Sequence, residues 1–305
     1  MNAPSNAGVA TPDVATALSA RPARRASPWQ IWVRRLFARR VVVLSTVLLL
    51  LIIALALCIS WLSSADPNAI AISQRLKAPS WQFWGGTDQL GRDVMLRVAY
   101  GGRYSLMIGF ATAIGAVIFG TLLGIMSGYF RKIDGAVMCV IDAMMAFPDI
   151  LLGIALVSIL GPSLWNVVLA LVIVYTPRVA RVARASTLVL RDLLYVDAAR
   201  ALGTPTWKIL WMHVLPGLVS PILVQLTFIF AYAILAEAGL SFLGVGVPPS
   251  IPTWGTMIAG SLNYMDRAFW TIIYPGLAIV LTSLSLQIVG DGIRDSLDPK
   301  LRKNT

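Results

Sequence analysis

Fourteen Asp and Glu and a single His are spread over 305 residues, and the acids inside apolar runs are the first candidates for chemistry. Asp142, Asp149 and Glu237 are the three expected at membrane depth, where a carboxylate is costly to bury and is a functional candidate by default. Such acids serve intramembrane peptide hydrolysis or proton relay. On one helix Asp142 and Asp149 would share a face yet stand about 10 Å apart along the axis. Two carboxylates sharing a proton need roughly 3 Å, so the protease reading fails. A proton relay stays open as a secondary-transporter alternative, although that class needs broken helices and usually internal repeats, and the two halves of the chain show no convincing repeat. His213, the only histidine, excludes a metal cluster or triad built on several histidines and is expected to be structural. Asp291, in VGDGIRD, is expected to cap the end of the last helix. A phosphate-cradling loop needs Gly-Lys followed by Ser or Thr, yet none of Lys77, Lys132, Lys208, Lys300 and Lys303 follows a Gly. Active transport by this chain would need an ion gradient or a borrowed ATPase.

The elements that position these residues follow from composition. Hydrophobic residues make up 57% of the chain and charged ones 13%, with mean hydropathy +0.76, which marks an integral membrane protein. The net charge of +11 does not indicate a nucleic-acid binder, because the Lys and Arg bracket apolar runs instead of covering a polar surface. Six stretches reach the roughly 20 apolar residues needed to cross a bilayer: 41 to 63, 104 to 127, 136 to 160, 163 to 182, 218 to 240 and 269 to 290. The tail and loops on the N-terminal side hold 19 of the 25 Lys and Arg, so both termini are expected to be cytoplasmic. The loops at 64 to 103 and 241 to 268 then face outward. Cys58 and Cys139 lie within apolar segments and are expected to be small lipid- or core-facing residues.

Residues 1 to 26, rich in Ala, Ser and Pro, are expected to be a disordered cytoplasmic tail. SPWQIWVRRLFARR starts with a capping box, Ser27 to Gln30, and spaces Trp29, Trp32, Val33, Leu36 and Phe37 on one face, which predicts an interfacial helix. The expected organisation is this tail; 27 to 103 with the interfacial helix, first span and outward loop; a core over 104 to 292 with five spans; and a cytoplasmic tail over 293 to 305. Ala116, Gly120, Gly124 and Gly128 form a small-residue ridge for close helix approach, within the subunit or against a partner. Pro148 and Pro177 are expected to kink the third and fourth spans.

Between spans four and five stands DAARALGTPTWKILWMHVLP (197 to 216). It reads as a helix over 192 to 202, a left-handed Gly203, a Thr204 cap and a second helix begun by Pro205. In the second helix Trp207, Leu210, Trp211 and Val214 are expected on one face, and Leu215-Pro216 launches span five. Ala198, Ala199 and Ala201 keep the first helix slim. Such a rigid pair suits insertion into a partner's groove.

These residues resemble the cytoplasmic loop of permease subunits of binding-protein-dependent ABC importers, whose pattern is E-A-A, three residues, Gly, nine residues, I-x-L-P. Asp197, Ala198 and Ala199 stand for E-A-A, Gly203 for the glycine and Leu215-Pro216 for the end. Asp197 shortens the acid and His213 replaces Ile. GTDQLGRDVMLRVAYGGRYSL (86 to 106), DAMMAFPDILLGIAL (142 to 156), EAGLSFLGVGVPPSIPTWGTM (237 to 257) and GDGIRDSLDPKL (290 to 301) are similar to the C-type permease of dipeptide, oligopeptide and nickel importers. The resemblance implies an all-α integral membrane protein with six transmembrane helices in the type I ABC importer permease fold. It implies no catalysis and no cofactor in this chain. The implied partners are a second permease subunit in a heterodimer, two ABC ATPase subunits that bind ATP and Mg, an extracytoplasmic solute-binding protein and the bilayer of a bacterial inner membrane. Peptide is the expected cargo; nickel chelates, glutathione-like thiols and other small solutes are the alternatives within the branch. The 197 to 216 segment is the expected ATPase-docking loop. Asp142, Pro148, Asp149, Glu237 and Ser241 are the candidates for the path or gate. Glu237 is expected to accept hydrogen bonds from freed backbone groups of the loop after span five, Asp149 to do the same at the Pro148 kink, and Asp142 to meet water or an Arg.

Overall fold

The computed structural model describes residues 39–63 and 65–297. The expected N-terminal tail, the interfacial helix of 27 to 39 up to residue 38, and the end of the C-terminal tail from residue 298 lie outside these residues. The described chain is helical, with one isolated bridge, Thr87 to Asp93, as its only β pairing.

Helix α1, Arg40–Leu62, carries no charge after Arg40 and leaves Leu44, Leu50, Leu51 and Leu57 exposed, as a lipid-facing helix does. Helix α2, Val94–Tyr129, starts ten residues before the expected span. Asp93 caps it by accepting from the Met95 and Leu96 amides at 2.8 and 3.1 Å, a contribution of about 1 kcal/mol. Arg97, which lowers the local hydropathy, is buried in its second turn with polar partners of its own.

The expected third span is two helices, α3 (Arg131–Met145) and α4 (Asp149–Leu160), bent by 95° at the break between them. Pro148 takes an extended ψ of 131° and disfavours helix at the preceding residue, so the expected kink is a full break. Asp142 and Asp149 therefore stand on different helices. Helix α5, Leu164–Leu190, runs eight residues past the expected end of span four and keeps Pro177 inside it; the Thr176 hydroxyl donates to the Val172 carbonyl at 2.7 Å beside that proline. Then come α6 (Leu194–Ala201), α7 (Thr206–Ile209), a π-turn over Leu210–Val214, and α8 (Leu215–Phe242). Helix α9, Trp254–Ser261, precedes α10, Trp270–Leu297. Asp291 lies inside α10, exposed, so it does not cap the helix end. Among the described residues five helices are long and apolar enough to cross a membrane, or six where the bent α3–α4 pair counts as one broken span.

The small-residue ridge faces α5. A Cβ on Gly120 would fall 2.5 Å from the Val179 Cβ, and one on Gly124 2.5 Å from the Ala183 Cβ, well inside van der Waals contact, so the ridge serves packing within the subunit. One apolar core joins α2, α4, α5 and α8 around Val167, Leu171 and Ile229. A second joins α1, α2, α8 and α10 around Trp254. Cys58 and Cys139 are free and exposed.

Candidate functional site

The two ends of the bundle present different constructions. At one end α6 and α7 form a helix pair. Gly203 ends α6 with φ +78°, and the Gly203 amide donates to the Arg200 carbonyl at 3.0 Å while the Thr204 amide donates to the Ala199 carbonyl at 3.1 Å. These are the paired bonds of a Schellman motif, which uses a left-handed residue to satisfy carbonyls at a helix end. A Cβ at Gly203 would meet nothing within 4 Å, so what demands glycine there is backbone conformation and not space. The expected Thr204 cap does not form: α7 starts at Thr206, so Pro205 occupies the cap position, without a side-chain bond.

The expected single face of Trp207, Leu210, Trp211 and Val214 is also split. The π-turn, closed by the Leu215 amide on the Leu210 carbonyl, shifts the phase of the helix. Trp207 and Trp211 are left about two-thirds exposed while Ile209 and Val214 are buried. Ile209, Val214, Val196, Ala199 and Leu218 make a small core capping the end of α2 at Ile125 and Tyr129. Ala198 points outward and Asp197 pairs with Arg200 at 2.9 Å, both side chains about half exposed. Leu215 is half-buried and Pro216 exposed where α8 begins. The His213 ring stacks on Tyr195 at 6.1 Å, a structural link between α6 and the π-turn. Leu202, at the tip, is 85% exposed.

At the opposite end, residues 65–93 and α9 form a cap held by polar groups out of water. Asp88 accepts from the Leu90 and Arg92 amides at 2.9 and 3.0 Å and from Arg92 Nε at 2.6 Å. Arg97, 3% exposed, donates to Asn68 Oδ1 at 2.7 Å and lies 3.8 Å from Asp88. The Trp270 indole donates to the Thr87 carbonyl at 3.2 Å, tying the cap to α10. Sequence reasoning quoted this segment without finding the Asp88–Arg92–Arg97 knot; the spacing D-x-x-x-R was its visible trace.

Glu237 is 1% exposed and sits near the end of α8. Its Oε1 accepts from the Ser241 hydroxyl at 2.8 Å and the Thr253 hydroxyl at 2.7 Å. The expected backbone donors are absent because the loop saturates its own: the Val247 amide donates to Ser241 Oγ at 3.4 Å, and Thr253 and Thr256 close a capping box on α9. Glu237 thus locks α8 to the start of α9. Thr253 was missed, although its T-x-x-T capping spacing was legible.

The other two acids meet arginines of α5. Asp142 pairs with Arg181 at 2.6 Å, and Asp149, in the first turn of α4 after Pro148, pairs with Arg178 at 3.2 Å. The expected backbone donors of Asp149 are replaced by this guanidinium. Asp134 completes the series with Arg184. The structure does not bring Asp142 and Asp149 onto Glu237: the first two lie on the α5 face and the third at the cap. No group of three or more His, Cys, Asp or Glu among the described residues is arranged to hold a metal.

Residues 116–303 match the family of binding-protein-dependent transport system inner membrane components, and residues 27–79 match the N-terminal TM domain of oligopeptide transport permease C. The chain is 40% identical over 277 residues to the dipeptide transport system permease protein DppC of Alkalihalophilus pseudofirmus, covering 90% of this chain and 91% of that one. It is 41% identical over 261 residues to the di/tripeptide transport system permease protein DppC of Pseudomonas aeruginosa, covering 83% and 86%. It is 40% identical over 278 residues to the glutathione transport system permease protein GsiD of Pectobacterium atrosepticum, covering 90% and 92%. Among solved structures, a chain of the MetNI methionine ABC transporter in an inward-facing conformation superposes with a TM-score of 0.56 at 17% identity, covering 67% of this chain and 98% of that one. That likeness shows the fold.

Proposed function

The chain belongs to the family of binding-protein-dependent transport system inner membrane components, the permeases of ABC importers, and from that premise we propose that it forms half of a peptide path worked by ATPases docked on α6 and α7. The observation that carries the docking is the exposed tip: Leu202, Trp207 and Trp211 stand out of a slim pair whose own core is complete beneath them. Exposed apolar anchors on a rigid helix pair suit a partner's groove.

Asp197, Ala198, Ala199, Gly203, Thr204, Pro205, Trp207, Leu215 and Pro216 then form the docking loop. The names of the relatives support peptide as cargo. The assembly comprises a second permease subunit, two ATPase subunits that bind ATP and Mg, and an extracytoplasmic solute-binding protein above the cap; this chain holds no cofactor. Both termini and the α6–α7 pair are assigned to the cytoplasmic side of a bacterial inner membrane. The two family matches support separating an N-terminal unit from the permease core. Glu237 and Ser241 shape the gate, while Asp142 and Asp149 beside Pro148 line the path. The arginine partners of the last two argue against proton carriage.

Co-purification tests the docking: the wild-type chain is expected to retain ATPase subunits, and Leu202→Glu or Trp207→Glu to shed them while still inserting. Full retention by both variants would sink it. For orientation, an impermeant thiol reagent added outside is expected to label Trp81→Cys, whose side chain is 96% exposed in the cap, and not Thr204→Cys; the reverse pattern inverts the topology.

A further inference from the structure

Arg178, Arg181 and Arg184 stand three residues apart on α5, each opposed by an aspartate from α3 or α4, and the pairing loosens along the series. Arg184 fills its fork with Asp134, giving Nε and Nη2 at 2.5 and 2.6 Å. Arg181 gives only Nη2 to Asp142, at 2.6 Å. Arg178 gives only Nη2 to Asp149, at 3.2 Å. A guanidinium carries five donors in a planar fork, so Arg178 and Arg181 each leave most of theirs open, and the Arg178 bond is the longest of the series.

Its depth and bracing make that opening significant. Arg178 lies just past the midpoint of α5, about 21 Å of helix rise from Leu164. Its side chain is 38% exposed and that of Asp149 49%. A charge facing lipid at such depth is disfavoured, so this face looks onto water or another polypeptide. The Arg178 guanidinium carbon lies 5.8 Å from the ring of Tyr175 and 5.0 Å from that of Tyr232 on α8. The Tyr175 hydroxyl donates to the Tyr232 carbonyl at 3.4 Å. Helices α4, α5 and α8 thus deliver a carboxylate, a cation and two aromatic faces to one point.

We propose that Arg178 reads the free carboxylate of a solute in the path, exchanging its single bond to Asp149 for a two-point pairing with that carboxylate. The inference rests on the proposed role in peptide import and deepens it: the favoured class is small zwitterions with a free carboxylate over their amides. Exchange of one carboxylate for another keeps the guanidinium paired throughout, and the released Asp149, about half exposed, is left to water. Planar two-point pairing is the geometry for which arginine is suited and lysine is not.

The test uses the complete importer in proteoliposomes at saturating binding protein, with alanyl-alanine and its C-terminal amide as probes. Wild type is expected to favour the free acid by about tenfold in transport rate, as sites built to pair with a polar group discriminate. Arg178→Gln is expected to bring the two rates within about twofold of each other, chiefly by slowing the acid, and Arg178→Lys to keep part of the preference. Asp149→Asn is expected to retain the preference with a lower KM for the acid. An unchanged acid-to-amide ratio in Arg178→Gln, or equal loss of preference in Asp149→Asn, overturns the proposal. A wild type that imports neither probe counts against the peptide reading alone. The decision then passes to Arg178→Cys with Cys58 and Cys139 replaced by Ser: labelling by an impermeant thiol reagent supports a water-lined contact, and failure to label in every nucleotide state overturns it.

Discussion

The cap over residues 65–93 and the α6–α7 lever hold their shapes by opposite means. The cap is fastened by buried polar bonds: Asp88 with two amides and Arg92, Arg97 with Asn68, Trp270 with Thr87, Glu237 with Thr253. The lever relies on a five-residue apolar core and one left-handed turn. Buried polar bonds are lost as a group when one partner goes, because the rest are left desolvated. A small apolar core instead yields in proportion to the area removed. The cap end therefore holds one arrangement or breaks, whereas the α6–α7 end is built to keep its shape as a unit.

The sharpest way to break the contrast is at Asp88. Asp88→Ala leaves the Arg92 and Arg97 guanidinium groups without their carboxylate in a site where Arg97 is 3% exposed. Loss of one member of a buried pair costs about 3–5 kcal/mol. The apparent Tm of the purified complex is expected to fall accordingly, with ATPase retention untouched in the fraction still folded. A normal Tm would mean that the cap is not fastened there.

Next in size is Glu237. Replacement by Leu leaves the Ser241 and Thr253 hydroxyls without their acceptor, at about 1–3 kcal/mol each, and uptake is expected to be lost. Glu237→Gln keeps an acceptor oxygen and should keep much of the uptake. Equal loss in both variants, together with collapse of uptake when the proton gradient is dissipated at constant ATP, would instead place a titrating carboxylate at this lock.

The lever responds to smaller changes. Gly203→Val forces a β-branched residue into φ +78°, about 1–2 kcal/mol of backbone strain, with no side-chain clash to add. Uptake and ATPase retention are expected to fall with little change in Tm, and Gly203→Asn to be milder because Asn tolerates this region. Smallest is Asp197→Asn. The Asp197–Arg200 pair is about half exposed and worth about 0–1 kcal/mol, so co-purification and Tm should shift little. A large loss of ATPase there would show that Asp197 meets the partner directly.

What was legible in the sequence follows the range of the forces involved. Gly203 could be read because a left-handed turn is a local demand, and α1, α8 and α10 because apolar runs announce themselves. The start of α2 at Val94 was hidden, since Arg97 resembles loop charge until Asn68, 29 residues earlier, folds back onto it. Pro148 marked a disturbance, but only the packing of α4 on α5 sets it at 95°. Glu237 was found as a buried acid; its partner Thr253 lies 16 residues on and reaches it through the fold. The arginines of α5 were counted as loop charges in the topology argument, although their three-residue spacing was in plain sight. The Thr204 cap failed because α7 starts one residue later than expected, which puts Pro205 in the cap position.

The π-turn over Leu210–Val214 is a place where the chain can lose a residue without re-aiming the α6–α7 pair. It holds one more residue than the α-helical turn that would replace it, and it joins α7 to α8 in one apolar helix from Thr206 to Phe242. Because the turn absorbs its extra residue locally, deleting one residue there would restore an α-helical turn with the heading of α6 and α7 nearly unchanged, whereas deleting one from the α-helical run of α8 would swing them by about 100°. Chain length is therefore more forgiving within these five positions than in the helix that follows them.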